Sequence, residues 1–261
     1  MGFTVAVAGK GGVGKTSVSA LIIRELLLHG KRPVLAVDAD ANANLNEALG
    51  VDVSNTVGSV REQLIEGVKS LPPGMSKEAF VELKIEESLV ESEGFDLLVM
   101  GRPEGPGCYC YANNILRRYV DALSKSYPFI VIDNEAGMEH LSRRTTQNVD
   151  LMLVVSDATP VGLLTAERIW RLANELKLNV KEARLVLNKV DGASKRRAEL
   201  ESAAKDAGIP MGAIIPADDE IARLANRGDS LLSASADSKA ARAVSELVEK
   251  FVGFKVQADV S

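Results

Sequence analysis

This 261-residue sequence has few cysteines, no long apolar run and no excess of basic residues. With only two cysteines, a disulfide framework is excluded as the source of stability. No apolar run approaches the roughly 20 residues of a membrane-spanning helix, and the first residues lack the basic-then-apolar order of a signal peptide. The net charge of −5 argues against a nucleic-acid partner. We therefore expect a cytoplasmic protein that binds neither membrane nor nucleic acid.

The sequence instead alternates short apolar runs with longer helical patterns. Buried strands are predicted from continuous β-branched-rich runs at 3–8, 33–38, 95–100, 129–133, 151–156, 184–188 and 213–215. Helices are predicted at 15–29, 113–126, 161–176, 194–207 and 237–252. This alternation predicts an α/β fold with a doubly wound, mostly parallel sheet, helices on both faces, and one domain spanning 1–261. Residues 51–94 carry no motif, and 81–85 fit either a strand or a helix.

A glycine-rich segment directly after the first predicted strand matches the phosphate-binding pattern G-x-x-x-x-G-K-[ST]. Its residues, with the next one included as a nucleotide contact, are Gly9, Lys10, Gly11, Gly12, Val13, Gly14, Lys15, Thr16 and Ser17. The glycines let successive N–H groups point at phosphate oxygens, and the following helix adds positive potential at its N-terminus. Lys15 is expected to reach the β- and γ-phosphates, and the Thr16 hydroxyl to ligate Mg²⁺. This arrangement predicts a P-loop NTPase.

Lys10 is an additional lysine at the start of this loop, and with it the sequence resembles the deviant Walker A ATPases. That family includes MinD, ParA, the arsenite-pump ATPase and the nitrogenase iron protein. Its extra lysine crosses a dimer interface to the partner's nucleotide, where a cation neutralises charge developing on the γ-phosphate. The resemblance implies a homodimeric ATPase in which Lys10 and Lys15 are both catalytic.

Two acidic segments resemble the switch regions of the same family. Asp38 and Asp40 follow the second predicted strand; by resemblance Asp38 lies near Mg²⁺ and Asp40 activates the attacking water. Asp133 and Gly137 follow the fourth predicted strand; by resemblance Asp133 holds Mg²⁺ through water and the Gly137 N–H senses the γ-phosphate. The carboxyl ends of strands are where an open α/β sheet builds its site, although each residue alone also fits a helix N-cap.

The base-side residues leave the choice of nucleotide open. Asn188 begins an N-K-x-D segment, which GTPases use for guanine, whereas the deviant Walker A family often has asparagine here and binds adenine. Pro216 and Asp218 resemble that family's base-side loop. The presence of Lys10 favours ATP.

Both cysteines lie in one segment rich in glycine and proline, G-R-P-E-G-P-G-C-Y-C-Y, as Cys108 and Cys110. They supply two thiolates, whereas Zn²⁺ prefers four tetrahedral ligands and Ni²⁺ commonly takes four in a square plane. The simplest completion is a second copy of the segment across a two-fold axis. Two other interpretations are small buried hydrophobes and a reversible disulfide between the two thiols.

This segment, together with D-N-E-A-G-M-E-H at 133–140, resembles the CooC-type nickel-insertion ATPases of carbon monoxide dehydrogenase and acetyl-CoA synthase. In that family, the cysteines of two subunits jointly bind one metal ion. The resemblance implies an ATP- and Mg²⁺-dependent metallochaperone for Ni²⁺, with Zn²⁺ as an occupant in vitro, and a homodimer favoured by ATP and metal. Either enzyme fits as the client. His140 is a relay, a nitrogen ligand or an ordinary switch residue.

Two alternative functions follow from the same motifs. The N-K-x-D segment fits a nickel GTPase of hydrogenase or urease maturation. The family as a whole also contains MinD/ParA-like positioning ATPases, although the tail 244–261 has too few basic residues for a membrane anchor.

Overall fold

The computed structural model describes residues 2–42, 44–59, 74–101, 123, 126–135 and 148–253. Within these ranges the strands are β1 (Phe3–Gly9), β2 (Val34–Asp38), β3 (Val90–Ser92), β4 (Phe95–Val99), β5 (Phe129–Asp133), β6 (Asn148–Ser156), β7 (Asn179–Val190) and β8 (Met211–Pro216). The helices are α1 (Lys15–Leu28), α2 (Leu45–Leu49), α3 (Lys77–Glu86), α4 (Pro160–Glu175), α5 (Ala193–Asp206), α6 (Asp219–Arg227) and α7 (Lys239–Val252). A 3₁₀ turn spans Leu231–Ser233.

The strands form one sheet in the order β3-β4-β2-β5-β1-β6-β7-β8. All neighbouring pairs are parallel except β3 with β4. The parallel pairs require crossover connections, and helices pack against both faces of the sheet. The predicted doubly wound α/β fold is confirmed.

Alternate residues of the central strand β1 point to opposite faces of the sheet. Val5 and Val7 pack in a core with α1 and α7, and Ala6 and Ala8 pack in a second core with α4 and α5. Ile85 of α3 belongs to a third core, which covers β2, β4 and β5. Burial on both faces explains why the strands are continuously apolar rather than alternating.

The structure resolves or corrects several features of the predicted element list. Residues 81–85 are helical, within α3, and the Ser76 hydroxyl caps this helix by accepting the Ala79 N–H. The sequence reading missed α2, α6 and β3, which are 5, 9 and 3 residues long. It also began β7 five residues late. The predicted helix at 113–126 lies outside the described residues, apart from 123 and 126.

Helix α1 contacts the last third of the chain through Arg24, which also forms a buried ion pair with its neighbour Glu25. Arg24 and Glu25 are 7% and 3% exposed, and the guanidinium donates to the neighbouring carboxylate. It also donates through Nε and Nη2 to the carbonyl oxygen of Ala234. Since α1 begins at the phosphate loop, this contact fixes the loop's supporting helix against the segment around the 3₁₀ turn.

No helix in the described ranges is both long enough and apolar enough to cross a membrane.

Replacing one member of the buried pair should destabilise the fold. We expect Glu25→Ala to lower the free energy of unfolding by about 3–5 kcal/mol, because it leaves the Arg24 charge buried without its carboxylate. Urea denaturation followed by circular dichroism measures this. The matched control is Glu175→Ala, which breaks an exposed i,i+4 pair with Arg171 and should cost less than about 0.5 kcal/mol. Equal losses in the two variants would contradict the assigned role of the buried pair.

Candidate functional site

The loop between β1 and α1 uses its glycines for two physical reasons. A Cβ at Gly9 would lie 2.3 Å from the carbonyl oxygen of Val155 in β6, so only glycine allows this approach. Gly12 and Gly14 have φ of 81° and 91°, in the left-handed region that other L residues rarely adopt. The loop therefore curls at the carboxyl edge of the sheet and leads directly into the first turn of α1, whose N–H groups lack intrahelical partners.

The two lysines of this loop lie in different environments. Lys15 is only 8% exposed, and its Nζ donates to the carbonyl oxygen of Lys10 at 3.4 Å. The side chain of Lys10 is exposed to solvent. One ammonium group thus spans the loop, as phosphate coordination requires, while the other can reach outward.

Asp133, the last residue of β5, is held by the first turns of α1. Its Oδ2 accepts a hydrogen bond from the Thr16 hydroxyl at 2.6 Å, and its Oδ1 accepts one from the Ser19 hydroxyl at 3.3 Å. The sequence reading did not identify Ser19. Its spacing of three residues from Thr16 places both hydroxyls on one helix face, and this was the available signal.

Asp38 ends β2 beside Asp133, since the two residues are register partners on adjacent parallel strands. Its Oδ1 accepts the Asp40 N–H at 3.0 Å, and its Oδ2 accepts the Leu45 N–H at 2.9 Å. Asp40 in turn accepts the Asn42 N–H at 2.8 Å. The carboxylate of Asp38 therefore shapes the loop that leads from β2 into α2.

Burial raises the pKa of both strand-end carboxyls, to about 6 for Asp38 and about 7 for Asp133. Loss of hydration is the largest cause in each case. The neighbouring Asp38 charge raises the pKa of Asp133 further, and it is opposed by the Thr16 hydrogen bond and the Lys15 charge. The chain alone therefore compensates these two charges only in part.

This donor set fits Mg²⁺, which prefers hard oxygen ligands such as carboxylates, hydroxyls and water. Next to Asp133, the buried Oδ1 of Asn134 has no hydrogen-bond partner among the described residues. This oxygen can therefore still accept a hydrogen bond. Thr16 would ligate the cation directly, and Asp38 and Asp133 would hold it through water. A bound Mg²⁺ supplies charge neutralisation for phosphate oxygens.

On the base side, the N-K-x-D segment contacts the phosphate loop itself. Asn188 Nδ2 donates to the carbonyl oxygen of Val13 at 2.9 Å, and Lys189 Nζ donates to that of Gly12 at 3.3 Å. A Cβ at Gly14 would lie 2.4 Å from Asn188 Nδ2. The structure thus gives Asn188 a supporting role in the loop, which the sequence reading did not identify.

Asp218, expected beside the base, joins two helices through its carboxylate. Oδ1 accepts the N–H groups of Glu220 and Ile221 at the start of α6, and Oδ2 accepts the Ser238 hydroxyl and the Ala240 N–H at the start of α7. Burial opposes the charge, but these four hydrogen bonds together lower the pKa of Asp218. Pro216 ends β8 opposite Val190. Asp218 therefore holds the starts of α6 and α7 close to Pro216, and both of its carboxylate oxygens accept hydrogen bonds from these helices.

Several predicted site residues lie outside the described ranges, namely Cys108, Cys110, Gly137 and His140. Among the residues that the structure describes, no cluster of three or more His, Cys, Asp or Glu side chains could hold a metal ion.

A family profile for the CobQ/CobB/MinD/ParA nucleotide-binding domain matches residues 4–232. The chain belongs to this family. An uncharacterised ATP-binding protein of Methanocaldococcus jannaschii is 46% identical over 96% of this chain and 99% of its own. The carbon monoxide dehydrogenase accessory protein CooC of Rhodospirillum rubrum is 33% identical over 66% of this chain and 69% of its own.

A solved structure shows the same fold at low sequence identity. The septum site-determining protein MinD of Pyrococcus horikoshii, complexed with Mg-ADP, has a TM-score of 0.70 and 23% identity, covering 96% of each chain. Family and fold together make the chain an ATPase of the MinD/ParA type.

The buried carboxylate pair should make the melting temperature fall as the pH rises in the ligand-free protein. Binding of Mg²⁺ with ADP should raise it. A carboxyl whose pKa is raised to about 7 on folding stabilises the fold fully below its unfolded pKa near 4 and loses this as the pH rises through 7. We expect Asp133→Asn to remove much of the fall in melting temperature between pH 5 and pH 8 in the ligand-free protein. The same change should abolish the stabilisation by Mg²⁺ with ADP.

Differential scanning calorimetry with and without Mg-ADP measures both effects. The control is Asp237→Asn, at an exposed carboxylate paired with Arg242. A full Mg-ADP stabilisation in Asp133→Asn would contradict the assigned cation site.

Proposed function

We propose that this ATPase is a metallochaperone that carries nickel to carbon monoxide dehydrogenase or acetyl-CoA synthase. Its homodimer holds one nickel ion between the Cys108 and Cys110 thiolates of both chains. ATP binding with Mg²⁺ favours the dimer, and hydrolysis loosens it so that the ion passes to the client. Nickel is cargo in this scheme rather than a resident cofactor.

The proposal depends on the number of thiolates in one chain. One chain has two cysteines in a Cys-x-Cys pair, which is half of a four-ligand sphere. A complete structural zinc site contributes roughly 10–16 kcal/mol, so half a site in one chain should hold metal far more weakly. Similarity to CooC of Rhodospirillum rubrum supports the same interpretation.

The geometry of the nucleotide site supports coupling of ATP to dimer formation. We assign phosphate contacts to the P-loop with Lys15, and Mg²⁺ ligation to Thr16 with Asp38 and Asp133. Lys10 is exposed at the mouth of the loop, where its ammonium could approach the nucleotide of a second chain. Asp40 lies beside these groups in the loop shaped by Asp38 and is assigned to orient the attacking water.

A positioning ATPase of the MinD/ParA kind is the second candidate, and the fold itself favours it. That function works through a membrane or DNA surface and assigns no role to the Cys-x-Cys pair. Cosedimentation with anionic liposomes or DNA, in the presence of Mg-ATP, separates it from the metallochaperone.

Metal analysis and native mass spectrometry under anaerobic conditions test the proposal. We expect one nickel ion per two chains in the wild type with Mg-ATP, and no stoichiometric nickel in Cys108→Ser. Tyr109→Phe is the matched control, because it alters the residue between the thiols and leaves both in place. One tightly held ion per single chain would contradict the proposal.

Lys10 should matter for hydrolysis rather than for the fold. We expect Lys10→Ala to lower kcat by two or more orders of magnitude and to abolish ATP-dependent dimerisation, since a comparable arginine finger contributes about 10³–10⁵-fold. Steady-state phosphate release and light scattering measure these changes. The control is Lys205→Ala, at an exposed lysine of α5. Unchanged dimerisation in Lys10→Ala would remove the lysine from the interface.

The nucleotide itself separates a metallochaperone ATPase from a nickel GTPase. We expect Mg-ATP to bind at least tenfold more tightly than Mg-GTP, a difference of about 1.4 kcal/mol. Isothermal titration calorimetry measures both affinities. Tighter binding of GTP would favour the nickel GTPase.

A further inference from the structure

The segment that carries the cysteines leaves the sheet at Met100 and Gly101, directly after β4. The backbone N–H of Met100 donates to the carbonyl oxygen of Asp38 at 2.8 Å. The residue whose carboxylate lies at the proposed Mg²⁺ site therefore also holds, through its peptide oxygen, the start of the cysteine-bearing segment.

A second contact holds the same exit point from the other side. The Met100 carbonyl oxygen accepts the Gly58 N–H at 2.8 Å. Gly101 is buried with φ of 63°, and a Cβ there would lie 2.5 Å from Thr56 Oγ1 and 2.6 Å from Thr56 Cβ. The side chain of Thr56 therefore occupies the space beside the α-carbon of Gly101 where a Cβ would lie.

Thr56 is itself fixed by reciprocal hydrogen bonds with Ser59. The Ser59 N–H donates to Thr56 Oγ1 at 3.2 Å, the Thr56 N–H donates to Ser59 Oγ at 3.0 Å, and the Ser59 hydroxyl donates to the Thr56 carbonyl oxygen at 2.8 Å. Val57, between them, is buried in the core that contains Met100. The Thr56 side chain, which contacts Gly101, is therefore held in place by these hydrogen bonds and by the burial of Val57.

These contacts form a continuous junction from the β2 end to the start of the cysteine-bearing segment. We propose that Thr56 and Gly101 are positioning residues that transmit the nucleotide state of the Asp38 loop to Cys108 and Cys110. The inference extends the proposed function, in which ATP and metal act on the same dimer. Thr56 touches neither nucleotide nor metal in this scheme and acts through Gly101.

The reactivity of the cysteines provides a test that does not require nickel. The two thiols are the only ones in the chain, so the rate of alkylation by N-ethylmaleimide reports on this segment alone. The full chain is labelled without nucleotide, with Mg-ADP and with Mg-ATP, at a concentration where light scattering shows a monomer. We expect a nucleotide-dependent change in rate of about fivefold or more, within the usual range of allosteric coupling.

The decisive variant is Thr56→Gly, which removes the side chain that contacts Gly101 together with the Oγ1 that accepts the Ser59 N–H. We expect its labelling rate to be nearly independent of nucleotide, while nucleotide affinity measured by calorimetry stays at the wild-type value. Ser76→Gly is the matched control, since it removes a comparable hydroxyl cap from α3. Its nucleotide dependence should be that of the wild type.

A double-mutant cycle checks that the contact itself is responsible. Gly101→Ala should disturb the nucleotide dependence, and adding Thr56→Gly should cause little further loss, because both changes act on the same contact. A wild-type labelling rate insensitive to nucleotide, or a Thr56→Gly variant that keeps the wild-type ratio, would overturn the inference. Nucleotide-dependent labelling without any nickel binding would instead overturn the proposed function and leave this junction standing.

Discussion

Two buried carboxylates at the ends of adjacent strands are the constraint on which this structure depends. Asp38 and Asp133 are register partners, and the chain provides hydroxyls, backbone N–H groups and one buried ammonium around them. These groups are too few to compensate both charges, so the folded state keeps a preference for a cation at this edge. A fold that binds its ligand in this way gives up some stability when empty.

The same two carboxylates organise the surrounding chain. Asp133 aligns the first turns of α1 through Thr16 and Ser19, while Asp38 shapes the loop before α2 and holds Met100 through its peptide oxygen. A change in the charge or ligands of the site therefore acts on backbone segments on both sides of β2. Because packed cores resist continuous deformation, such changes favour a switch between discrete arrangements.

Local patterns in the sequence were sufficient to predict the sheet, most helices and the phosphate loop. Buried parallel strands are recognisable as apolar runs, and the glycine spacing before Lys15 has a direct stereochemical cause. Short elements such as α2 and β3 carry too few residues for a periodic signal. The contacts of Asn188 with Val13 and of Asp218 with α7 join residues far apart in sequence. These partners could not be inferred from spacing. Asn188 and Asp218 therefore have supporting contacts in addition to their predicted place on the base side, which stays a prediction.

The anchoring of α1 to Ala234 has a consequence for how the protein is made. The phosphate loop is synthesised before the residues that hold it, because these are residues 188–189 and, through Arg24, residue 234. A nascent chain thus carries the complete glycine motif long before the contacts that hold it in shape have been synthesised. The complete set of contacts that supports the loop is therefore available only after residue 234 has been synthesised.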